Sequence, residues 1–214
     1  MSEAVALAWD TAHRRARIAR EPLAVDLDRA ERAATEMLTA LGLPINSDDM
    51  VETPRRLVQA YAEMLTPPEF DSTTFENAAG YDELVLVSDI PVHSLCEHHL
   101  LPFSGVAHVG YLPGDRILGL SKFARTVEFY SRAAQTQERL TMEIAEHLSE
   151  RLAPRGVGVV IEADHSCMTL RGARAGGART VTASLQGLLR DDPSTRAEFL
   201  SLTRDRVSRA GGLR

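Results

Sequence analysis

The chain has 214 residues, of which 44% are hydrophobic and 25% are charged, so its composition is that of a globular protein and not of a disordered one. Its net charge of −6 argues against nonspecific nucleic-acid binding, which needs a basic face. No stretch approaches the roughly 20 apolar residues that a membrane-spanning helix requires, and residues 1–20 lack the apolar run of a signal peptide. We therefore expect a cytoplasmic protein that binds neither nucleic acid nor membrane.

Hydrophobic spacing and turn signals predict the elements in chain order. Residues 1–24 are weakly patterned and are interpreted as a frayed helix or a mobile tail, and residues 25–70 as a helical segment. Its helices are expected at 27–41 and from Thr53, which is the predicted cap. In the remaining domain, 71–210, strands are expected at 84–87, 105–111, 157–161, 168–170 and 180–185, and helices at 121–130 (capped by Ser121), 137–152 and 193–206. This order favours an α+β fold with an antiparallel sheet.

The densest chemistry lies in two short segments that each combine cysteine with histidine. Cys96 and His99 have a C-x-x-H spacing, which allows one loop to place a thiolate and an imidazole on the same ion. His165 and Cys167 are two residues apart, so on an extended chain both would project to the same face. Alone, either segment is a weak signal, and the cysteines could equally be buried thiols or a disulfide. Together, two thiolates and one imidazole are typical of a catalytic zinc site with an open fourth position.

Two histidines remain beside this predicted metal site. His98 and His165 are candidate proton carriers because imidazole titrates near neutral pH; the alternative is that one of them orients a metal ligand. The absence of an H-E-x-x-H motif argues against a metalloprotease, and the absence of P-C-x-x-C against a typical nucleobase deaminase.

Five segments resemble the GTP cyclohydrolase I family and occur in that family's order over roughly residues 27–205. They are ETPRR (52–56), SLCEHHLLPF (94–103), GLSKFAR (119–125), QERLT (137–141) and HSCMTLRG (165–172). Five motifs in one order are far more specific than any one of them.

The resemblance implies a tunnelling fold, in which each subunit has an antiparallel sheet with helices on one side. Subunits would form a toroidal homo-oligomer, a decamer of two stacked pentamers, with active sites between neighbours. It also implies that Cys96, His99 and Cys167 are the Zn²⁺ ligands.

For the substrate, the resemblance implies GTP. Gln137 and Glu138 would anchor guanine, since a carboxylate can accept from the ring N–H and the exocyclic amine together. The triphosphate would be held by Ser121, Lys122, Arg125 and Arg171, with Arg56 as an addition. Lys122 is the only lysine of the chain, and a polyanion at the start of its helix would offset the unfavourable dipole.

The reaction implied is hydrolytic opening of the imidazole ring at C8, with formate release and rearrangement to 7,8-dihydroneopterin triphosphate. His165 would protonate the ring nitrogen and His98 would assist later proton transfers. The product would feed folate synthesis or a specialised route such as deazapurine synthesis.

The alternatives are a zinc hydrolase that stops at a formamidopyrimidine, a non-catalytic nucleotide-binding paralogue, and a nitrile reductase of the tunnelling fold.

Four places depart from the family pattern. Ala134 and Thr136 precede Gln137, so this loop is either softer or capped by the Thr136 hydroxyl. Gln59 stands where many members have lysine, and Ala175-Gly176-Gly177 replaces a Lys-Pro-Gly turn. These changes bear on the outer phosphate contacts and leave the expected metal ligands intact.

Overall fold

The computed structural model describes residues 14–21 and 24–210. The longer helices are α1 (Leu27–Ala40), α2 (Thr53–Leu65), α3 (Ser121–Ser131), α4 (Gln137–Leu152) and α7 (Pro193–Ala210), and the short ones are α5 (Ser166–Thr169) and α6 (Leu188–Asp191). The strands are β1 (Arg14–Ile18), β2 (Phe70–Glu76), β3 (Val85–Cys96), β4 (Pro102–Leu112), β5 (Arg116–Leu118), β6 (Ala134–Gln135), β7 (Gly156–His165) and β8 (Thr180–Gly187). Among these helices, none is both long and apolar enough to cross a membrane.

A five-stranded sheet in the order β6-β3-β4-β7-β8 organises the molecule. All neighbours are antiparallel except β3 and β6, so the predicted α+β fold with a largely antiparallel sheet is confirmed. The strands β3, β4 and β7 are each longer than the segments predicted at 84–87, 105–111 and 157–161. In β3 the extra residues include buried Ile90, Val92 and Leu95, which a register shift between Val87 and Ile90 separates from the predicted segment.

Helices α3 and α4 cover one face of this sheet. The stripe predicted for α4 is buried, because Leu140, Ile144, Leu148 and Leu152 are all at most 3% exposed. They join the alternate residues Val157, Val159 and Ile161 of β7 in the main core. The bounds predicted for α4 are confirmed, and the Thr136 hydroxyl caps it by accepting from the Arg139 N–H at 3.2 Å.

The opposite face of the sheet is also partly covered, which corrects the expectation of helices on one side only. Leu189 of α6 and Phe199 of α7 pack with Leu112 and Val160, which point away from α3 and α4. A Cβ on Gly158 would lie 2.8 Å from the Phe199 ring, so the absence of a side chain there is what lets the ring approach.

Several local predictions are wrong. Residues 168–170 are not a strand, because the chain turns into α5 at Ser166. Neither Ser121 nor Thr53 caps a helix: each is the first residue of its helix, and the preceding residues, Leu120 and Glu52, make no side-chain capping bond.

The predicted frayed helix or mobile tail is wrong for residues 14–18, which form β1, and residues 1–13 lie outside the described part. Helices α1 and α2 fill most of the predicted helical segment, whose separation from a 71–210 domain stays a prediction.

A second sheet, β1-β2-β5, closes over the outer side of α3 and α4. Ile18 and Phe70 pack there against Phe129, and the Phe70 ring lies 6.4 Å from the His147 ring, centre to centre. His147 is 6% exposed, and its Nδ1 lies 3.2 Å from the Tyr130 hydroxyl. Burial, assisted by the charge of Arg151, lowers the pKa of His147 from 6.5 to about 4.

This buried histidine predicts a loss of stability in mild acid. The unfolded chain takes up the proton near pH 6.5, whereas folded His147 resists protonation down to about 4. Its contribution is therefore complete above pH 6.5 and is lost as the pH falls from 6.5 towards 4. From pH 7 to pH 5, we expect the free energy of unfolding to fall by about 2 kcal/mol more in the wild type than in His147→Gln. Urea titrations of both proteins measure the difference, and parallel pH profiles would contradict the assignment.

Candidate metal centre and active site

The strand order brings the two cysteine segments to the same end of the sheet. Both β3 and β7 run antiparallel to β4, on its two sides, so they are parallel to each other and finish at the same edge. Leu95 pairs with Pro102 and Phe103 pairs with His165, so Cys96 and Cys167 follow these pairs closely. Strand β6 runs parallel to β3, and the N-terminus of α4 therefore reaches this edge too.

A tight turn presents Cys96 and His99. The Leu100 N–H donates to the Cys96 carbonyl at 2.7 Å, and the Cys96 N–H donates to the Leu101 carbonyl at 2.9 Å. Leu100 adopts the left-handed region with φ 52°, which a branched side chain rarely occupies. The Tyr61 hydroxyl of α2 donates to the Leu100 carbonyl at 3.1 Å, so the helical segment holds the strained turn.

Cys167 reaches the cluster through a helical turn. The sequence argument had His165 and Cys167 projecting from one face of an extended chain, but the chain is extended only up to His165 and turns into α5 at Ser166. This is a correction to the reasoning, although both side chains still lie at the same edge of the sheet.

The three expected ligands converge. One ligand atom from each of Cys96, His99 and Cys167 lies within 4.8 Å of the others, and the two Sγ atoms are 4.0 Å apart. A disulfide needs about 2.05 Å between its sulfurs, so both cysteines are free thiols. Tetrahedral coordination with Zn–S bonds of about 2.3 Å separates two sulfurs by about 3.8 Å. The donor set and its spacing therefore fit a metal ion such as zinc.

Electrostatics also favour a cation at this position. Burial, followed by the neighbouring Cys96 thiol, raises the pKa of Cys167, because two thiolates in one place repel each other. A divalent ion would remove that conflict, since thiolates are the form that binds metal.

The first turn of α4 supports the metal loop from the side. Arg139 forms an ion pair with Glu97 and donates from Nε to the Gln135 side chain at 2.6 Å. The Glu97 N–H donates to the Gln135 carbonyl at 3.0 Å, and the Gln135 amide donates to Glu143 at 2.7 Å. Sequence reasoning missed this network. The one feature of the sequence that could have indicated this network is that Arg139 directly follows Gln137 and Glu138, which were expected to bind the substrate.

The two spare histidines differ in their surroundings. His98 is exposed, with its Nδ1 3.8 Å from Cys96 Sγ. His165 is half-buried and stacks on the Phe103 ring with centroids 4.6 Å apart and an interplanar angle of 14°. Burial lowers the pKa of His165, against the opposing effect of the Glu138 and Asp164 charges. Phe103, which sequence reasoning quoted only as part of a motif, thus fixes the plane of this ring.

The two residues expected to anchor guanine are placed differently. Gln137 is 1% exposed, and its side-chain oxygen lies 2.8 Å from His165 Nε2. Glu138 is exposed on the first turn of α4, and its charge acts on His165. Among the described residues, no hydrogen bond or ion pair occupies the Glu138 carboxylate.

Of the residues expected to bind phosphate, only Arg171 lies beside the cysteine cluster. Arg171 lies close enough to Cys167 for its charge to favour the thiolate. Ser121, Lys122 and Arg125 share the start of α3, where Ser121 and Arg125 are exposed. Arg56 is exposed on α2. Helix α3 packs through Phe123 and Val127 into the core that contains Cys96, but among the described residues no hydrogen bond or ion pair joins Ser121, Arg125 or Arg56 to the cluster.

The match to known sequences agrees with this site. The chain belongs to the GTP cyclohydrolase I family, whose sequence model matches residues 30–204 and so includes every residue of the cluster. Strand β1 precedes the matched range.

Several curated relatives are similar over most of their length. The GTP cyclohydrolase 1 of Thermobifida fusca is 50% identical over 188 residues, which are 85% of this chain and 90% of that protein. The GTP cyclohydrolase 1 of Streptomyces griseus is 51% identical, with coverages of 84% and 91%, and that of Mycobacterium tuberculosis is 48% identical, with coverages of 83% and 90%. Among solved structures, the apo form of the archaeosine synthase QueF-Like has a TM-score of 0.41 at 19% identity, covering 49% of this chain and 93% of that chain.

The cluster predicts that metal binding needs Cys167. In Cys167→Ala, two of the three expected ligands remain. Loss of a residue that only orients a ligand costs roughly 10- to 100-fold in metal affinity, and we expect loss of a ligand to cost more. Metal analysis after dialysis measures the effect, with Ser166→Ala in the same turn as the matched control. A Cys167→Ala protein that retains its metal as the control does would show that the ion lies elsewhere.

Proposed function

We propose that the chain catalyses the hydrolytic opening of the imidazole ring of GTP at C8, with release of formate and rearrangement to 7,8-dihydroneopterin triphosphate. The observation that carries this proposal is the placement of His165 beside the Cys96, His99 and Cys167 cluster at one edge of the sheet. Membership of the GTP cyclohydrolase I family supports the choice of substrate.

Cys96, His99 and Cys167 would hold Zn²⁺ as the cofactor. Two thiolates and one imidazole are a set that zinc accepts while a fourth position stays open. When bound, zinc supplies Lewis-acid chemistry that activates water at neutral pH. Glu97 and Arg139 keep the loop that carries two of these ligands in place.

His165 is the group that we assign to protonation of the imidazole-ring nitrogen as water adds to C8. It is held by stacking on Phe103 and by its bond to Gln137, so its ring is presented in one orientation. His98 is exposed beside Cys96 and is assigned to the later proton transfers, which follow formate release.

Glu138 is the residue that we assign to guanine recognition. Its carboxylate lies on the same turn of α4 as Gln137 and is available to accept from N1–H and the exocyclic amine together. Adenine lacks this pair of donors and would leave the carboxylate unpaired, which is the basis of strong discrimination.

The triphosphate contacts are assigned to Arg171 and to Ser121, Lys122 and Arg125, with Arg56 as an addition. The exposed positions of Ser121, Arg125 and Arg56 are compatible with a site that a neighbouring subunit completes. Polar side chains and backbone N–H groups at the start of α3 suit an anion.

We also propose that the subunit has a tunnelling fold and forms a toroidal decamer. Within the described residues, β8 has an unpaired edge, and β3 pairs on its outer side only at Leu95 and Cys96. Ring closure would pair such edges between subunits. The exposed apolar groove between α1 and α2, which reaches His99 and Leu100, is a further surface that assembly would cover.

Assay of the purified protein with GTP, with and without a chelator, tests the proposed reaction. We expect formate and the fluorescence of the oxidised pterin to appear together and to disappear with the metal. Ring opening without formate would favour an enzyme that stops at a formamidopyrimidine. Metal binding with no turnover of GTP would favour a non-catalytic paralogue.

Replacement of His165 separates metal binding from proton transfer. His165→Ala keeps all three ligands, so we expect its metal content to match the wild type while ring opening slows by roughly 10²- to 10⁴-fold, the usual contribution of general acid–base catalysis. The matched control is His93→Ala, which removes an exposed histidine from β3 away from the cluster. Full activity of His165→Ala would refute the assigned role.

A further inference from the structure

Two backbone carbonyls and one hydroxyl surround the side-chain nitrogen of Gln137. Its Nε2 lies 3.0 Å from the backbone carbonyls of Ile161 and Thr180, and 3.1 Å from the Thr182 hydroxyl oxygen. A carbonyl has no hydrogen to give, so the amide nitrogen must face this side and the amide oxygen must face the other. The side chain is 1% exposed, and no solvent competes for these positions.

The direction of the Thr182 hydroxyl follows from the same chain of contacts. The Thr141 hydroxyl lies 2.7 Å from the Gln137 backbone carbonyl and must donate to it. Thr141 and Thr182 hydroxyls are 2.6 Å apart, so the hydrogen between them comes from Thr182. The Thr182 oxygen is then left as an acceptor for the Gln137 amide, in agreement with the two carbonyls.

The orientation of Gln137 dictates which nitrogen of His165 carries hydrogen. The Gln137 Oε1 atom faces His165 Nε2 at 2.8 Å, and an amide oxygen can only accept. We propose that Gln137 is a positioning residue that holds the hydrogen of His165 on Nε2 and thereby fixes the orientation of the ring. This hydrogen position rests on the contacts alone, whereas its use in catalysis rests on the proposed function.

This role differs from the direct contact with guanine expected from the family resemblance. Both polar ends of the Gln137 side chain have partners inside the subunit and the residue is 1% exposed, so little of this side chain is accessible to guanine. The neighbouring Glu138 is exposed and suits the base contact. Of these two consecutive residues of α4, Gln137 would position His165 and Glu138 would recognise the base.

Neutron diffraction of the metal-loaded wild-type protein tests the hydrogen positions without any substitution. We expect density for a hydrogen isotope on His165 Nε2, directed at Gln137 Oε1, and two on the Gln137 nitrogen, directed at the opposite side. A bare His165 Nε2, or an amide nitrogen facing it, would overturn the proposal. This result is independent of activity, so it does not depend on whether GTP is the substrate.

Kinetics of Gln137→Leu test the consequence. Loss of an orienting outer-shell partner typically costs roughly 10- to 100-fold, and we expect a fall of that size in kcat with unchanged KM for GTP and unchanged metal content. Glu138→Gln should instead raise KM. The matched control is Thr182→Val, which removes one bond to the Gln137 nitrogen but leaves both carbonyls and the bond to His165, so kcat should stay near the wild-type value.

A raised KM with unchanged kcat in Gln137→Leu would indicate that Gln137 contacts guanine directly, and it would refute the positioning role. If that variant does not fold, the neutron experiment on the wild type decides. If the wild-type protein does not release formate from GTP, the proposed function fails, while the Nε2–H assignment stands or falls on its own measurement.

Discussion

The pairing of β4 with β3 on one side and β7 on the other is the constraint on which the site depends. Because both neighbours run antiparallel to β4, they end at the same edge, and residues 71 positions apart in sequence meet with their sulfurs 4.0 Å from each other. The sheet is stabilised from both faces, by the apolar stripe of α4 and by Phe199 of α7, so this edge is anchored by a packed core.

The N-terminal turn of α4 contacts both the loop that carries Cys96 and His99 and the ring of His165. Arg139 pairs with Glu97 in the metal loop, Gln137 bonds to His165, and Glu138 faces outward between them. The Thr136 cap fixes where this turn begins, and therefore where all three side chains point. One turn of helix thus contacts the loop that carries Cys96 and His99, orients the His165 ring and presents an exposed carboxylate.

The sequence allowed the two Cys–His segments and α4 to be predicted because their signals are local: closely spaced cysteine and histidine, and leucine or isoleucine at every fourth position from Leu140 to Leu152. The direction in which Cys167 projects was not predictable in this way, since the change from β7 to α5 at Ser166 leaves no periodic trace in so short a segment. The covering of the second sheet face by α7 depends on Phe199 meeting two glycines far away in sequence. Likewise, β1 is a strand because β2 offers it an edge, and not because of its own composition.

We propose above all that Cys96, His99 and Cys167 bind one divalent ion together. The most direct measurement is diffraction from zinc-loaded crystals with anomalous data collected at the zinc absorption edge. We predict one strong peak per subunit, bonded to the two Sγ atoms and to one imidazole nitrogen of His99. A Cys96–Cys167 disulfide, or zinc bound at a different set of residues while these three remain unliganded, would contradict the account.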